Sequence, residues 1–250
     1  MPTNNHENER TPSAQNDNSA MNPATHSSEE PFSEATLRDA AKVFLLDADG
    51  NKVKFGDLYK PPGRGKKHRT LIIFVRHFFC GSCQDYVRAV ASSIPGPSQL
   101  PTDTAIAIVG CGASSLIPQY INRTKCPYPI YTDPTRYLHA LFGMKLTLDA
   151  GTHAPDYSTT SMFSLVTQGI ATTVSRLLKG DMLQSGNKWQ NGGEILFDAE
   201  IPNEAEDGVE EVKVRVPFCH IMKNTREHSE VSVLKTVIGL DEERVLKTDG

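Results

Sequence analysis

Apolar residues fall into two kinds of run along this 250-residue chain. "TLIIFVRHFF" (70 to 79) and "DTAIAIVGCG" (103 to 112) are nearly continuous and rich in β-branched residues, as in strands of a parallel sheet covered on both faces. Behind each, the spacing turns helical. Tyr86, Val87, Val90 and Ala91 share one face before "IPGP" stops the helix, and Leu116, Ile117, Tyr120 and Ile121 do the same after the second strand. "CPYPIYTD" supplies a third, short strand. Asp133 and Pro134 then read as the N-cap and first residue of a helix through "TRYLHALFG", closed by Gly143. Three strand–helix steps predict an α/β layer, doubly wound or thioredoxin-like, with helices placed on the sheet faces by right-handed crossovers.

The flanking pattern is antiparallel. "AKVFLLDADGNKVKFGDLY" reads as strand, Asp-Gly-Asn turn, strand and a short helical turn, and "GGEILFDAE" with "VKVRVPFC" as a hairpin across an acidic loop. "SEVSVLKTVIGL" sets Val231, Leu234 and Ile238 on one stripe of a closing helix. Residues 1 to 33 offer almost nothing to bury and are expected to form a disordered tail. One domain is expected over 34 to 240, with a partly helical insertion at about 144 to 191 and a frayed end from 241 to 250.

Composition narrows the classes. Hydrophobic residues make up 38% and the net charge is −4, so one substantial core is affordable and no basic field invites nucleic acid or an anionic membrane surface. No run approaches the roughly 20 apolar residues of a membrane helix, and "MPTNNHENERTPSAQ" lacks the apolar core of a secretory signal. Cytoplasm is the expected location, with the nucleus open. Five cysteines, at 80, 83, 111, 126 and 219, are odd in number and scattered, unlike a disulfide framework.

Cys80 and Cys83 stand between a buried strand and an amphipathic helix. The unsatisfied N–H groups and positive dipole end of that helix favour a thiolate, and CxxC spacing lets one thiol attack while the other resolves. Packing as small hydrophobes is the plain alternative. A zinc site would need a second Cys or Cys/His pair at suitable spacing; Cys219 and His220 are adjacent, so no metal is expected. Arg76 and His77 are candidates to assist the thiolate, and strand alternation points them to opposite faces, so one serves at most. Cys111 is a candidate additional resolving thiol, although packing is the simpler role for it, as for Cys126 and Cys219. His220, Arg226 and His228 read as caps and loop polarity.

The blocks "LIIFVRHFFCGSCQDYV", "IAIVGCGASSLIPQYI", "YPIYTDPTRYLHALFGM", "QNGGEILF" and "CHIMKNTREHSEVSVLKTVIG" together resemble the AhpC/TSA-type peroxiredoxin-like 2 family, thioredoxin-like "antioxidant enzyme domain" proteins that carry CxxC. The resemblance spans about residues 36 to 240. It implies a thioredoxin-like fold, a central mixed sheet flanked by helices, and places Cys83 where peroxiredoxins keep the peroxide-attacking cysteine and Cys80 where they keep a threonine. Thioredoxin would make Cys80 the nucleophile, so the assignment stays open between the two. Arg76 stands where peroxiredoxins have a proline, and Gly192 about where they have a thiolate-steadying arginine.

A thiol-dependent oxidoreductase reducing peroxides or disulfides is therefore expected, with no bound cofactor, a cellular dithiol or glutathione as reductant, and a homodimer among the arrangements open to the family. The competing expectation is a redox-inactive accessory or binding protein, recruited to a specialised biosynthetic pathway or to a non-redox step on a small molecule. The Arg76 and Gly192 departures and the insertion favour it.

Overall fold

The computed structural model describes residues 30 to 151, 184 to 203 and 212 to 240. The tail through residue 29, most of the insertion (152 to 183) and the chain end (241 to 250), for which disorder, partial helix and fraying are expected from sequence, lie outside the described residues.

A seven-stranded mixed sheet organises the molecule. β1 (Phe44–Leu46), β2 (Lys52–Lys54), β3 (Lys66–Phe74), β4 (Thr104–Gly110), β5 (Ile130–Thr132), β6 (Gly193–Ile201) and β7 (Lys213–Ile221) lie in the order β2-β1-β5-β4-β3-β6-β7. β3, β4 and β5 pair in parallel through crossovers carrying α2 (Gly81–Ser93) and α3 (Ile117–Thr124). β1 and β6 join this parallel centre antiparallel to β5 and β3. The antiparallel β6 and β7 beside β3 decide between the two expected architectures: the fold is thioredoxin-like, with a mixed sheet, rather than doubly wound.

Alternation along β3 divides the core. Leu71 and Ile73 enter a cluster with Tyr86, Val87 and Val90 of α2 and Ile117 and Tyr120 of α3; Leu234 and Ile238 of the closing segment complete it. Ile72 and Phe74 point the other way, to Leu37 and Ala40 of α1 (Glu34–Ala41) and Leu138 of α4 (Tyr137–Leu141). Both faces of the strand are thus sealed, which is what its unbroken apolar run requires. On the second face Phe55, Tyr59, Phe142 and Phe197 form a ring cluster in which Tyr59 stacks on Phe197 at 4.7 Å.

Several local details differ from the sequence pattern. α1 is an element that the apolar spacing did not announce; its start is set by Ser33, whose Oγ accepts from the Thr36 N–H at 3.1 Å. Phe32 packs its ring on Phe142 at 4.9 Å, just before that helix. α4 begins later than the Asp133–Pro134 pair suggests, because residues 134 to 136 form a turn with Arg136 at φ 61°. Asp133 still serves the helix: its Oδ2 accepts from the Leu138 N–H at 2.9 Å. Ile121, expected on the inner face of α3, is 38% exposed, whereas Leu116, Ile117 and Tyr120 are buried. The closing helix α5 (Val231–Val237) buries Leu234, as its stripe predicts.

No helix among the described residues is long and apolar enough to cross a membrane.

Candidate active site

The end of β3, the start of α2, the near ends of β6 and β7, and the segment entering α5 converge on the two cysteines. Cys80 is the N-cap of α2, with extended backbone, and Cys83 lies in the helix's first turn. A thiol is a weak cap compared with Ser or Asp, so its presence here favours chemistry over stability. Cys80 Sγ accepts from the Cys83 N–H at 3.4 Å and from Arg76 Nη1 at 3.4 Å. Both cysteines are free, Cys80 5% and Cys83 0% exposed.

These neighbours drive the two thiols apart in acidity. The Cys80 thiol is held well below the usual thiol range: a hydrogen bond from the Cys83 thiol outweighs burial, and the Arg76 charge, His77 and the Cys83 N–H act in the same direction. Cys83 is pushed well above that range, first by burial and then by its hydrogen bond to Cys80 and the negative charge there. Of the pair, Cys80 is therefore the more acidic thiol and Cys83 the one that holds its proton more firmly.

Arg76 is fixed for this task. Its Nε donates to the Gln190 carbonyl at 3.0 Å and its Nη2 to the Lys188 carbonyl at 2.6 Å, which aims Nη1 at the sulfur. Replacing Arg76 by methionine removes the charge and leaves two carbonyls without their donor. The pH midpoint for iodoacetamide alkylation of Cys80 is expected to move upward, with the rate at pH 7 falling on the order of tenfold. An unchanged alkylation profile would show that Arg76 only braces the 188 to 190 segment.

His77 is placed differently. Burial lowers its pKa against the pull of the Cys80 thiolate, and its Nδ1 is buried without a hydrogen-bond partner among the described residues. Of the two assisting candidates, only Arg76 hydrogen-bonds to a cysteine sulfur there. Cys111, at the end of β4, turns its thiol to the Arg76 carbonyl at 2.8 Å, and burial raises its pKa to about 11. Its proton is thus held, and its contact is with the backbone beneath Arg76. Cys126 and Cys219 are likewise raised to about 11, chiefly by burial.

Gly192 lies against β3 so closely that a Cβ there would sit 1.9 Å from the Phe74 carbonyl oxygen and 3.3 Å from Met222 Sδ. No side chain fits this position without moving backbone, so the arginine that the peroxiredoxin pattern places nearby has no room. Arg76, two residues past the end of β3, brings its guanidinium to the Cys80 sulfur instead.

Residues that the sequence pattern treats as polar loop turn out to form the second half of the site. Glu194 of β6 is fully buried. Its register partner on β7 is His220, whose Nδ1 meets Glu194 Oε2 at 2.8 Å. His228 Nδ1 meets the other oxygen, Oε1, at 2.6 Å, and the Ser229 N–H and hydroxyl donate to Oε2 at 3.1 and 2.8 Å. The far nitrogen of His228, Nε2, faces Cys83 Sγ at 3.5 Å, while its ring stacks on Tyr86 of α2 at 4.1 Å. Capping and loop polarity therefore do not describe His220 and His228. The available signal was a lone carboxylate inside the apolar strand "GEILF", which burial makes costly unless it is partnered.

Burial alone would raise the Glu194 pKa, but the His228 charge and the hydrogen bonds from His220 and His228 bring it down to about 2. The carboxylate is an ion at neutral pH and can only accept, so both histidines present Nδ1–H to it. Among the described residues no three His, Cys, Asp or Glu side chains are disposed to hold a metal ion.

The chain is similar to several known proteins. The family model described as AhpC/TSA antioxidant enzyme matches residues 96 to 203. The chain is 24% identical to Peroxiredoxin-like 2C of Mus musculus over 203 residues, covering 80% of this chain and 79% of that one. The Takifugu rubripes Peroxiredoxin-like 2C is 24% identical over 217 residues, covering 82% of this chain and 83% of the relative. Among solved structures, Peroxiredoxin Q of Xanthomonas campestris superposes with a TM-score of 0.43 at 10% identity, covering 83% of this chain and 94% of that one. Peroxiredoxin 6 of Arenicola marina gives 0.45 at 14% identity, covering 79% and 68%. In sequence the chain is similar to peroxiredoxin-like AhpC/TSA proteins, a likeness that supports a thiol oxidoreductase in general terms.

Proposed function

We propose that the protein reduces disulfides or peroxides through Cys80 and Cys83, with Cys80 as the attacking thiolate. The observation that carries this is the convergence of Arg76 Nη1 and the Cys83 N–H on Cys80 Sγ at the start of α2, one turn from a second thiol. The thiolate attacks a disulfide sulfur, expelling a thiolate and forming a mixed disulfide, or a peroxide oxygen, expelling an alkoxide that takes a proton and leaving a sulfenic acid. Cys83 then attacks the Cys80 sulfur, closing the Cys80–Cys83 disulfide and releasing the second thiol or water. A cellular dithiol or glutathione restores both thiols. This cycle suits the cytoplasm, which supplies those reductants, and asks for no bound cofactor.

The alternative is a protein that keeps the fold without the redox step, and the Gly192 backbone contact, which excludes a peroxiredoxin-type arginine, favours it. Rapid mixing with hydrogen peroxide or dithiodipyridine, followed by mass spectrometry of the thiols, separates the two. Cys80 and Cys83 are expected to join in a disulfide while Cys126 and Cys219 remain thiols. If Cys80 reacts no faster than those two with either reagent, the redox reading fails and the accessory one stands.

A further inference from the structure

The two thiols need different help. Cys80 is the more acidic thiol, whereas Cys83 must lose its proton in the act of attacking, and burial opposes the charge that deprotonation would leave on its sulfur. Thiol–disulfide exchange proceeds through the thiolate, so a fully buried protonated thiol is slow unless a base meets it. Among the described residues, His228 is positioned for this. His228 Nε2 stands 3.5 Å from Cys83 Sγ, with Nδ1 donated to a carboxylate that is itself gripped by His220 and Ser229. With Nδ1 carrying the ring proton, the Nε2 lone pair faces the thiol.

We infer that His228 is the general base for Cys83 in the resolving step, and that Glu194, held by His220 and Ser229, is the positioning residue that fixes its tautomer and stabilises the imidazolium. The inference rests on the proposed Cys80–Cys83 cycle and assigns the proton that the cycle leaves unplaced. In the resolving step the Cys83 proton passes to His228 Nε2 as the Cys83 sulfur bonds to the Cys80 sulfur. The Cys80 bond to the substrate sulfur, or to the sulfenic oxygen, breaks. The imidazolium then returns its proton to the departing thiolate or hydroxide, which leaves as thiol or water. Atoms and charge balance with no further reactant.

The arrangement follows the logic of nucleophile, base and orienting carboxylate found wherever a thiol or hydroxyl must be activated. Here it serves the second thiol, while the first relies on Arg76 and a helix end. The base approaches from the α5 side and the arginine from the β3 end, so each thiol has its own partner. Stacking on Tyr86 holds the imidazole plane in register with α2.

Dithiodipyridine separates the steps, because Cys80 attack and Cys83 resolution each release one thiopyridone, read by its ultraviolet absorbance. With the full-length protein, His228→Gln is expected to leave the first release within about twofold of wild type and to slow the second by about 10²- to 10⁴-fold, the range for a positioned general base. Glu194→Gln, which keeps hydrogen-bonding atoms in place, should also slow only the second release and should shift the ring nitrogen NMR signals of His228. In the wild type the second release should slow in deuterium oxide and the first should not, a measurement that needs no variant to fold. A first release absent in wild type overturns the Cys80 reading itself. A normal first release, with a second that neither His228→Gln nor deuterium oxide slows, overturns the assignment of the base while leaving the redox cycle intact.

Discussion

Cys80→Ser is expected to abolish the fast reaction with peroxide or a small disulfide, whereas Cys83→Ser should keep the first chemical step and lose the second. The asymmetry follows from electrostatics. Arg76 and the backbone N–H of Cys83 both point at the Cys80 sulfur, whereas the Cys83 sulfur faces His228 Nε2 at 3.5 Å. In the Cys83→Ser variant the hydroxyl can still donate to the Cys80 thiolate, so the attacking anion survives. Peroxide should then yield a sulfenic acid trapped by a dimedone probe, and dithiodipyridine a stable mixed disulfide with one thiopyridone released. Cys80→Ser should give neither product, because burial keeps the Cys83 pKa raised and no thiol is left in the N-cap position. The reverse outcome, trapped sulfenic acid in Cys80→Ser and none in Cys83→Ser, would assign the attack to Cys83, as in the peroxiredoxin pattern.

The second large effect concerns Glu194. Replacing it by alanine is expected to destabilise the protein by about 3–5 kcal/mol in urea unfolding, the range for breaking a buried ion pair on one side. The Ser229 N–H and two imidazole N–H groups would lose their fully buried acceptor. Glutamine should cost less, since it keeps an acceptor oxygen.

Acid probes the same group without mutation. The folded pKa of about 2 lies below the ordinary 4.5, so the stabilisation is complete above the unfolded value and is lost as pH falls from about 5 toward 2. The depression corresponds to stability on the order of 3 kcal/mol. His220 acts in the opposite sense. Burial lowers its pKa, but the hydrogen bond and charge of Glu194 raise it more, so its contribution is full below the unfolded histidine value and fades as pH rises through the folded one. Stability should therefore decline in acid in the wild type and show a shallower decline in Glu194→Gln. Identical acid profiles in the two would refute the assigned role of the carboxylate.

Much of the frame was legible in the chain because it is local. β3 reads as a doubly covered strand from a run of adjacent residues, and Cys80, Cys83 and Arg76 are separated by a few positions, so strand end, helix start and CxxC spacing bring them together. Alternation alone would have let either Arg76 or His77 reach the thiols, and the choice came from the carbonyls of Lys188 and Gln190, more than a hundred residues on. α1 escaped notice because its eight residues carry only two buried side chains, too few to make a periodic signal.

The sequence by itself determined the strand and helix rhythm and a dithiol at a helix N-terminus, since these depend on side chains within one or two turns of one another. Only the tertiary structure decided which thiol is the more acidic. That order rests on the hydrogen bond between the thiols, on burial and on Arg76, and the same packing brings together Glu194 and His228, 34 residues apart, with His228 reaching Cys83 across 145. Insertion of β6 antiparallel beside β3 joins them, and no local periodicity encodes a pairing set by sheet order.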